Sequence, residues 1–123
     1  MTKLDPDQDL VVLINTFTVA PEKADELLAL LNEATEEVMR HLPGFISANL
    51  HMGADKTRIA NYAQWASRAD FEAMQKDPDA KVHMNAAAEL AESFDPQLYR
   101  LRHVHVGDDM LPDALSGPGS LPV

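Results

Sequence analysis

The sequence predicts an α+β domain, a four-stranded antiparallel sheet with helices on one face in the order βαββ(αα)β. Three observations lead there. Residues 10–19 and 58–65 are rich in β-branched and aromatic side chains, the composition of strands. Between them one apolar stripe recurs at helical spacing and is stopped by Pro43-Gly44. After the second of those stretches, two cap-like signals, Ser67 to Asp70 and Asp77-Pro78, open further helices.

Taken in order, residues 1–8 form a flexible polar tail and 9–106 the folded domain. Leu10 to Val19 is the first strand. Val11, Leu13, Asn15, Phe17 and Val19 share one face, and Leu10, Val12, Ile14, Thr16 and Thr18 the other. Pro21 suits a first helical position, and Glu22, Asp25 and Glu26 complement the positive helix end. Ala24, Leu27, Leu28, Leu31, Ala34, Val38 and Leu42 make the apolar stripe, with His41 as a C-terminal cap.

Phe45 to Met52 is the second strand, with Ile46, Ala48, Leu50 and Met52 on one face and Ser47, Asn49 and His51 on the other. Gly53 to Lys56 turns the chain into the third, Arg58 to Trp65. A short helix carries Phe71 and Met74. The next carries Val82, Ala86, Ala87, Leu90 and Phe94 as its stripe, and Leu98 to Val106 is the last strand. Residues 107–123 are a C-terminal tail rich in proline, glycine and acid. This is the ferredoxin-like plan. The first strand is apolar on both faces, yet the helices cover only one. A second copy packed back-to-back covers the other, so a homodimer is expected.

A formal net charge of -10 excludes a nucleic-acid partner and an anionic membrane surface, both of which attract basic proteins. The chain has no cysteine, which excludes disulfides, thiolate catalysis and Cys-ligated metal, and suits the cytoplasm. No run is long and apolar enough for a membrane span or a signal core. No Gly-rich nucleotide loop is present, so neither flavin nor nicotinamide is indicated.

On the third strand, Ile59, Asn61, Ala63 and Trp65 share a face, which puts an amide and the single tryptophan together on a core-facing surface. A buried amide needs partners, and so does an indole N–H. With Asn15 on the neighbouring strand, they outline the floor of a polar and apolar pocket.

Ile14 to Val19, Leu42-Pro-Gly-Phe45, Asn61-Tyr-Ala-Gln-Trp65 and Asp77-Pro78 together resemble the antibiotic biosynthesis monooxygenase family, over nearly the whole chain apart from its tails. The resemblance is nearest to the cofactor-independent anthrone oxygenases of aromatic polyketide pathways. It implies a dimeric α/β barrel that oxidises a phenolic polycycle, an anthrone or naphthacenone, to a quinone with dioxygen and without metal, flavin or other cofactor. It also implies that Asn15, Asn61 and Trp65 are the catalytic residues. Three departures accompany it. Phe71 stands where one branch has a pocket tyrosine, Met84 where a helix carries arginine, and Ala48 where another branch has a strand histidine, with His51 on the opposite face. The same fold hosts haem-cleaving monooxygenases, to which Asn15 and His83 correspond, but Met74 occupies the place of their helical tryptophan. A non-catalytic or cyclase-like accessory protein for an aromatic ligand is the remaining alternative.

Phe17, Phe71, Met74, His83 and Met84 are expected to wall the pocket. His83 is either a general base or a satisfied structural histidine. His103 and His105 share a face of the expected last strand, a geometry for a metal pair. No third ligand accompanies them, which favours structural or dimer contacts.

Overall fold

The computed structural model describes residues 4–5 and 9–108, so the expectations for the two tails fall largely outside the described residues. The elements are β1 (Val11–Thr18), α1 (Pro21–Glu37), β2 (Phe45–Met52), β3 (Arg58–Trp65), α2 (Arg68–Lys76), α3 (Pro78–Leu90) and β4 (Ser93–Tyr99). The strands form one antiparallel sheet in the order β2-β3-β1-β4. This is the expected ferredoxin-like plan, with β1 and β3 central and their inner faces under the helices.

The starts of α2 and α3 follow the sequence signals. Ser67 Oγ accepts from the Asp70 N–H, and Asp77 accepts from the N–H groups of Asp79 and Ala80 with Pro78 at the first helical position. The turn before β2 depends on Gly44 at φ +82°, where a Cβ would overlap the Asp70 carboxyl group. The Gly44 carbonyl accepts from the Ala66 N–H at 2.7 Å, which ties this turn to the start of α2.

Four expectations are corrected. The first helix does not run to Leu42. Val38 leaves helical geometry (φ −122°, ψ −63°), and a single 3-10 turn, Met39–His41, follows. A stripe spaced at three or four residues suits either helix type, so the apolar period could not reveal the change. His41 therefore lies in that turn and not at the end of the long helix. Ile46 does not share a face with Ala48, Leu50 and Met52. A register shift between Phe45 and Ser47 turns it out, leaving it 46% exposed, and sets Phe45 opposite Trp65 instead. Val82 does not belong to the stripe of α3, where Ala80 and Ala87 are buried and Val82 is 67% exposed.

The last strand is β4, Ser93–Tyr99, five residues earlier at its start than expected, and Phe94 belongs to it and not to α3. Pro96 reads as a breaker, but β4 is an edge strand, where a missing N–H is tolerated. His103 and His105 consequently lie beyond the sheet, on no strand, with ring centroids 6.4 Å apart.

The core is in two parts. At one end Leu13, Ala63 and Trp65 pack with Phe71, Met74 and Ala80. At the other, Phe17, Val19 and Ile59 pack with Ala24, Leu27 and Ala87. Asn15 and Asn61 fall between them. On the opposite face of the sheet Val12 and Gln64 are buried, Ser47 Oγ donates to Gln64 Oε1 at 3.0 Å, and Ile14, Thr16, Ala60 and Tyr62 are part-buried. Burial raises the Tyr62 phenol above its ordinary value.

Candidate active site

The register of the sheet builds the site row by row. Asn15 and Asn61 are direct cross-strand partners, flanked by Leu50 on β2 and Pro96 on β4. The row on one side is Ala48, Ala63, Leu13 and Leu98. The row on the other is Met52, Ile59, Phe17 and Phe94. The inner face thus carries one polar row between two apolar ones, and that row coincides with the gap between the two halves of the core.

A cavity of about 220 Å³ opens over it. The sheet supplies Asn15, Asn61, Phe17, Trp65, Phe94 and Pro96 to its floor and side. Helix α1 supplies Leu31, Ala34 and Thr35, α2 supplies Phe71, Met74 and Gln75, and α3 supplies His83, Met84 and Asn85. All eight residues singled out from sequence therefore lie around one hollow. Trp65 is 2% exposed and is held edge-on by Phe45 (ring centroids 5.5 Å, 89°) and Phe71 (6.3 Å, 72°). Phe17 and Phe94 pack at 6.3 Å with a 38° tilt, and Phe94 and Met84 remain 50% and 39% exposed.

The amide oxygens of Asn15 and Asn61 are buried and have no hydrogen-bond partner among the described residues. Native interiors rarely leave such atoms unanswered, and each costs on the order of 1–3 kcal/mol. Two side by side, at the base of a hollow, are a feature to which a ligand with hydroxyl donors is complementary. Thr35 does not share this state, since its hydroxyl donates to the Leu31 carbonyl at 2.9 Å.

His83 is the one ionisable side chain among the residues lining the cavity. Its Nδ1 lies 3.0 Å from the Asp79 carbonyl oxygen, which can only accept, so in the neutral ring this contact assigns the proton to Nδ1 and the lone pair to Nε2. Glu33 and Glu37, one turn apart on α1, each bring a carboxylate oxygen near a ring nitrogen of His83, all within 4.8 Å of one another. That cluster offers three donors, two of them on exposed side chains, fewer than the four of a closed tetrahedral metal site.

Sequence reasoning named Phe94 as pocket wall or core, though on a helix, and did not single out Thr35, Gln75, Asn85 or Pro96 as pocket residues. Pro96 was hidden by the misplaced last strand. Gln75 and Asn85 each follow a named pocket residue in sequence, but nothing in their own pattern marks them.

A ferredoxin-like sheet with a mostly apolar hollow between it and its helices, floored by paired amides and an indole, defines a small-molecule enzyme in which the protein's own side chains meet the substrate. Residues 10–86 match the family described as antibiotic biosynthesis monooxygenase, and the chain belongs to that family. It is 47% identical over 85 residues to the tetracenomycin-F1 monooxygenase of Streptomyces glaucescens, a match covering 69% of this chain and 76% of that protein.

Among solved structures it is similar to the monooxygenase from the gene ActVA-Orf6 of Streptomyces coelicolor in complex with the ligand nanaomycin D. There the TM-score is 0.72 at 25% identity, covering 85% of this chain and 96% of that one. It also shares its fold with SnoaB, a cofactor-independent oxygenase from Streptomyces nogalater, with TM-score 0.63, 23% identity, and coverage of 78% and 96%. The chain is an enzyme of the monooxygenase class, as the sequence reading expected. No helix among the described residues is long and apolar enough to cross a membrane.

Proposed function

We propose that this protein oxidises a phenolic polycyclic aromatic, an anthrone- or naphthacenone-like polyketide intermediate, to a quinone with dioxygen and without a metal or flavin. The observation that carries this reading is the pair of buried amide oxygens, of Asn15 and Asn61, without a partner among the described residues, under a mostly apolar hollow edged by Trp65. Phenolic hydroxyls would donate to the amide oxygens. The amide N–H groups would donate to the oxyanion that grows as the carbon acid loses its proton. Trp65 would meet the ring system at the edge of the hollow.

The enolate is the reductant. It passes an electron to dioxygen, the two radicals combine at carbon, and loss of water leaves the carbonyl. Overall a methylene and O2 become a carbonyl and H2O. The protein's part is to orient the polycycle, exclude bulk water and stabilise the anion. The relative's tetracenomycin name and the nanaomycin D held by the structural neighbour support an aromatic polyketide as the substrate class. The same reading includes a cytoplasmic homodimer, formed where the part-buried Ile14, Thr16, Ala60 and Tyr62 face away from the helices.

Dithranol, a dihydroxyanthrone, tests the reaction. Mixed with enzyme without oxygen and then exposed to air, it should give quinone faster than in buffer alone. A rate equal to the spontaneous one refutes the reading.

A further inference from the structure

We propose that His83 is the proton acceptor of the reaction, and that Glu33 and Glu37 pass the proton on to solvent. The inference rests on the reading above, because it names the group that makes the enolate. That reaction begins by breaking a C–H bond. A base must take the proton while the electron pair stays in the ring system.

Amides cannot act as that base, and neither can indole, phenyl or thioether groups, which together make up most of the lining. Among the lining residues only His83 carries a basic ring nitrogen. Its orientation suits the task. Nδ1 lies 3.0 Å from the Asp79 carbonyl, four residues back on α3, and a carbonyl can only accept, so the neutral tautomer that makes this bond has Nε2 as its basic atom. This is the arrangement by which a third group orients a catalytic histidine.

The exit route is also present. The Glu33 and Glu37 carboxylates stand within 4.8 Å of the ring nitrogen and of each other, and both side chains are exposed while His83 is part-buried. A proton received from the cavity side can thus leave on the α1 side through a carboxylate or one intervening water. Two protons return to reduced dioxygen when water is formed, so the relay runs in both directions and the site ends each turnover unchanged.

The test separates proton abstraction from oxygen chemistry. Dithranol and enzyme are mixed without oxygen in D2O, and exchange of the methylene protons is followed by NMR. The wild-type protein should accelerate exchange. His83→Ala should lose roughly 10²–10⁴-fold of that acceleration. Added imidazole should restore part of the lost rate, as it would not for a structural defect. Quenching of Trp65, the single tryptophan, should report dithranol binding within about twofold of wild type. The double variant Glu33→Gln with Glu37→Gln should lower kcat with KM unchanged.

Wild-type exchange at the buffer rate overturns the assignment, as does His83→Ala exchanging as fast as wild type. Loss of exchange on adding a chelator, restored by a divalent cation, overturns it in favour of a metal held by the same three residues. Accelerated exchange without accelerated oxidation in air supports His83 as base while refuting the oxygenase reading, so the two failures are distinguishable.

Discussion

Replacing Asn61 by leucine tests whether the floor of the hollow is kept polar at the expense of stability. The perturbation removes one of two buried amide oxygens that lack a partner among the described residues, and substitutes an apolar side chain of similar size beside Leu50 and facing the cavity. Leaving a buried acceptor unanswered costs about 1–3 kcal/mol, so Asn61→Leu should raise the unfolding free energy of the ligand-free protein by about that amount. For a domain of this size the rise corresponds to roughly 3–6 °C in Tm per kcal/mol. Asn15→Leu should behave alike. Because the two residues face each other across β1 and β3, the double variant should gain less than the sum. Thermal and urea unfolding of the four proteins gives the cycle, and dithranol oxidation measured alongside should fall in every variant. Dithranol should raise the Tm of the wild type and not that of the double variant. Variants that melt at or below the wild-type temperature would show that the oxygens are already satisfied, and would remove the reason for reading the floor as a receiver of hydroxyl donors.

Trp65→Phe should reduce turnover while the protein stays folded, whereas Trp65→Ala should cost about 3–5 kcal/mol in unfolding, because Phe45 and Phe71 both pack on that ring. Gly44→Ala should lower the urea midpoint by the equivalent of at least about 1–2 kcal/mol from its left-handed backbone alone, with the overlap on Asp70 adding to it. The Thr57 hydroxyl at 2.7 Å, then the Thr57 N–H at 3.0 Å, hold the Asp55 carboxyl below its ordinary 3.8. Its folded pKa is depressed, so its contribution to stability is present above the unfolded value and is lost as pH falls through the folded one. An NMR titration should find the Asp55 midpoint below 3.8 and Thr57→Val should move it upward.

How legible the molecule was depended on whether a residue's role was written in its own neighbourhood. β2 and β3 could be bounded to the residue because Pro43-Gly44 and the Gly53 turn punctuate them, and the α2 and α3 starts because Ser67 and Asp77 are caps. The inward sharing of Asn61 and Trp65 follows from the two-residue period of a strand. Their meeting with Asn15 follows from register, which the sequence does not contain. The bulge at Ile46 and the proline-bearing edge strand at Ser93 were missed for a related reason, since both depend on which neighbours a strand has. His83 is an intermediate case. Its place near a helical stripe could be read, but Glu33 and Glu37 approach it from a helix about fifty residues earlier.

The hollow itself had a signal that pattern reading passed over. Large side chains fill both ends of the core, Trp65, Phe71 and Met74 at one and Phe17, Leu27 and Ile59 at the other. The lining around the asparagine row includes five alanines among its larger residues: Ala34 on α1, Ala48 on β2, Ala63 on β3, and Ala87 and Ala88 on α3. Ala48 and Ala63 are opposed across neighbouring strands on the helix-covered face. Packed interiors set large against small across facing positions, so alanine opposite alanine leaves volume that no neighbour fills. An apolar void of that kind would be costly for its stability alone. Set beside two buried amide oxygens without a partner among the described residues, it is a hollow to which an aromatic ligand carrying hydroxyl donors is complementary, and binding such a ligand would offset the cost.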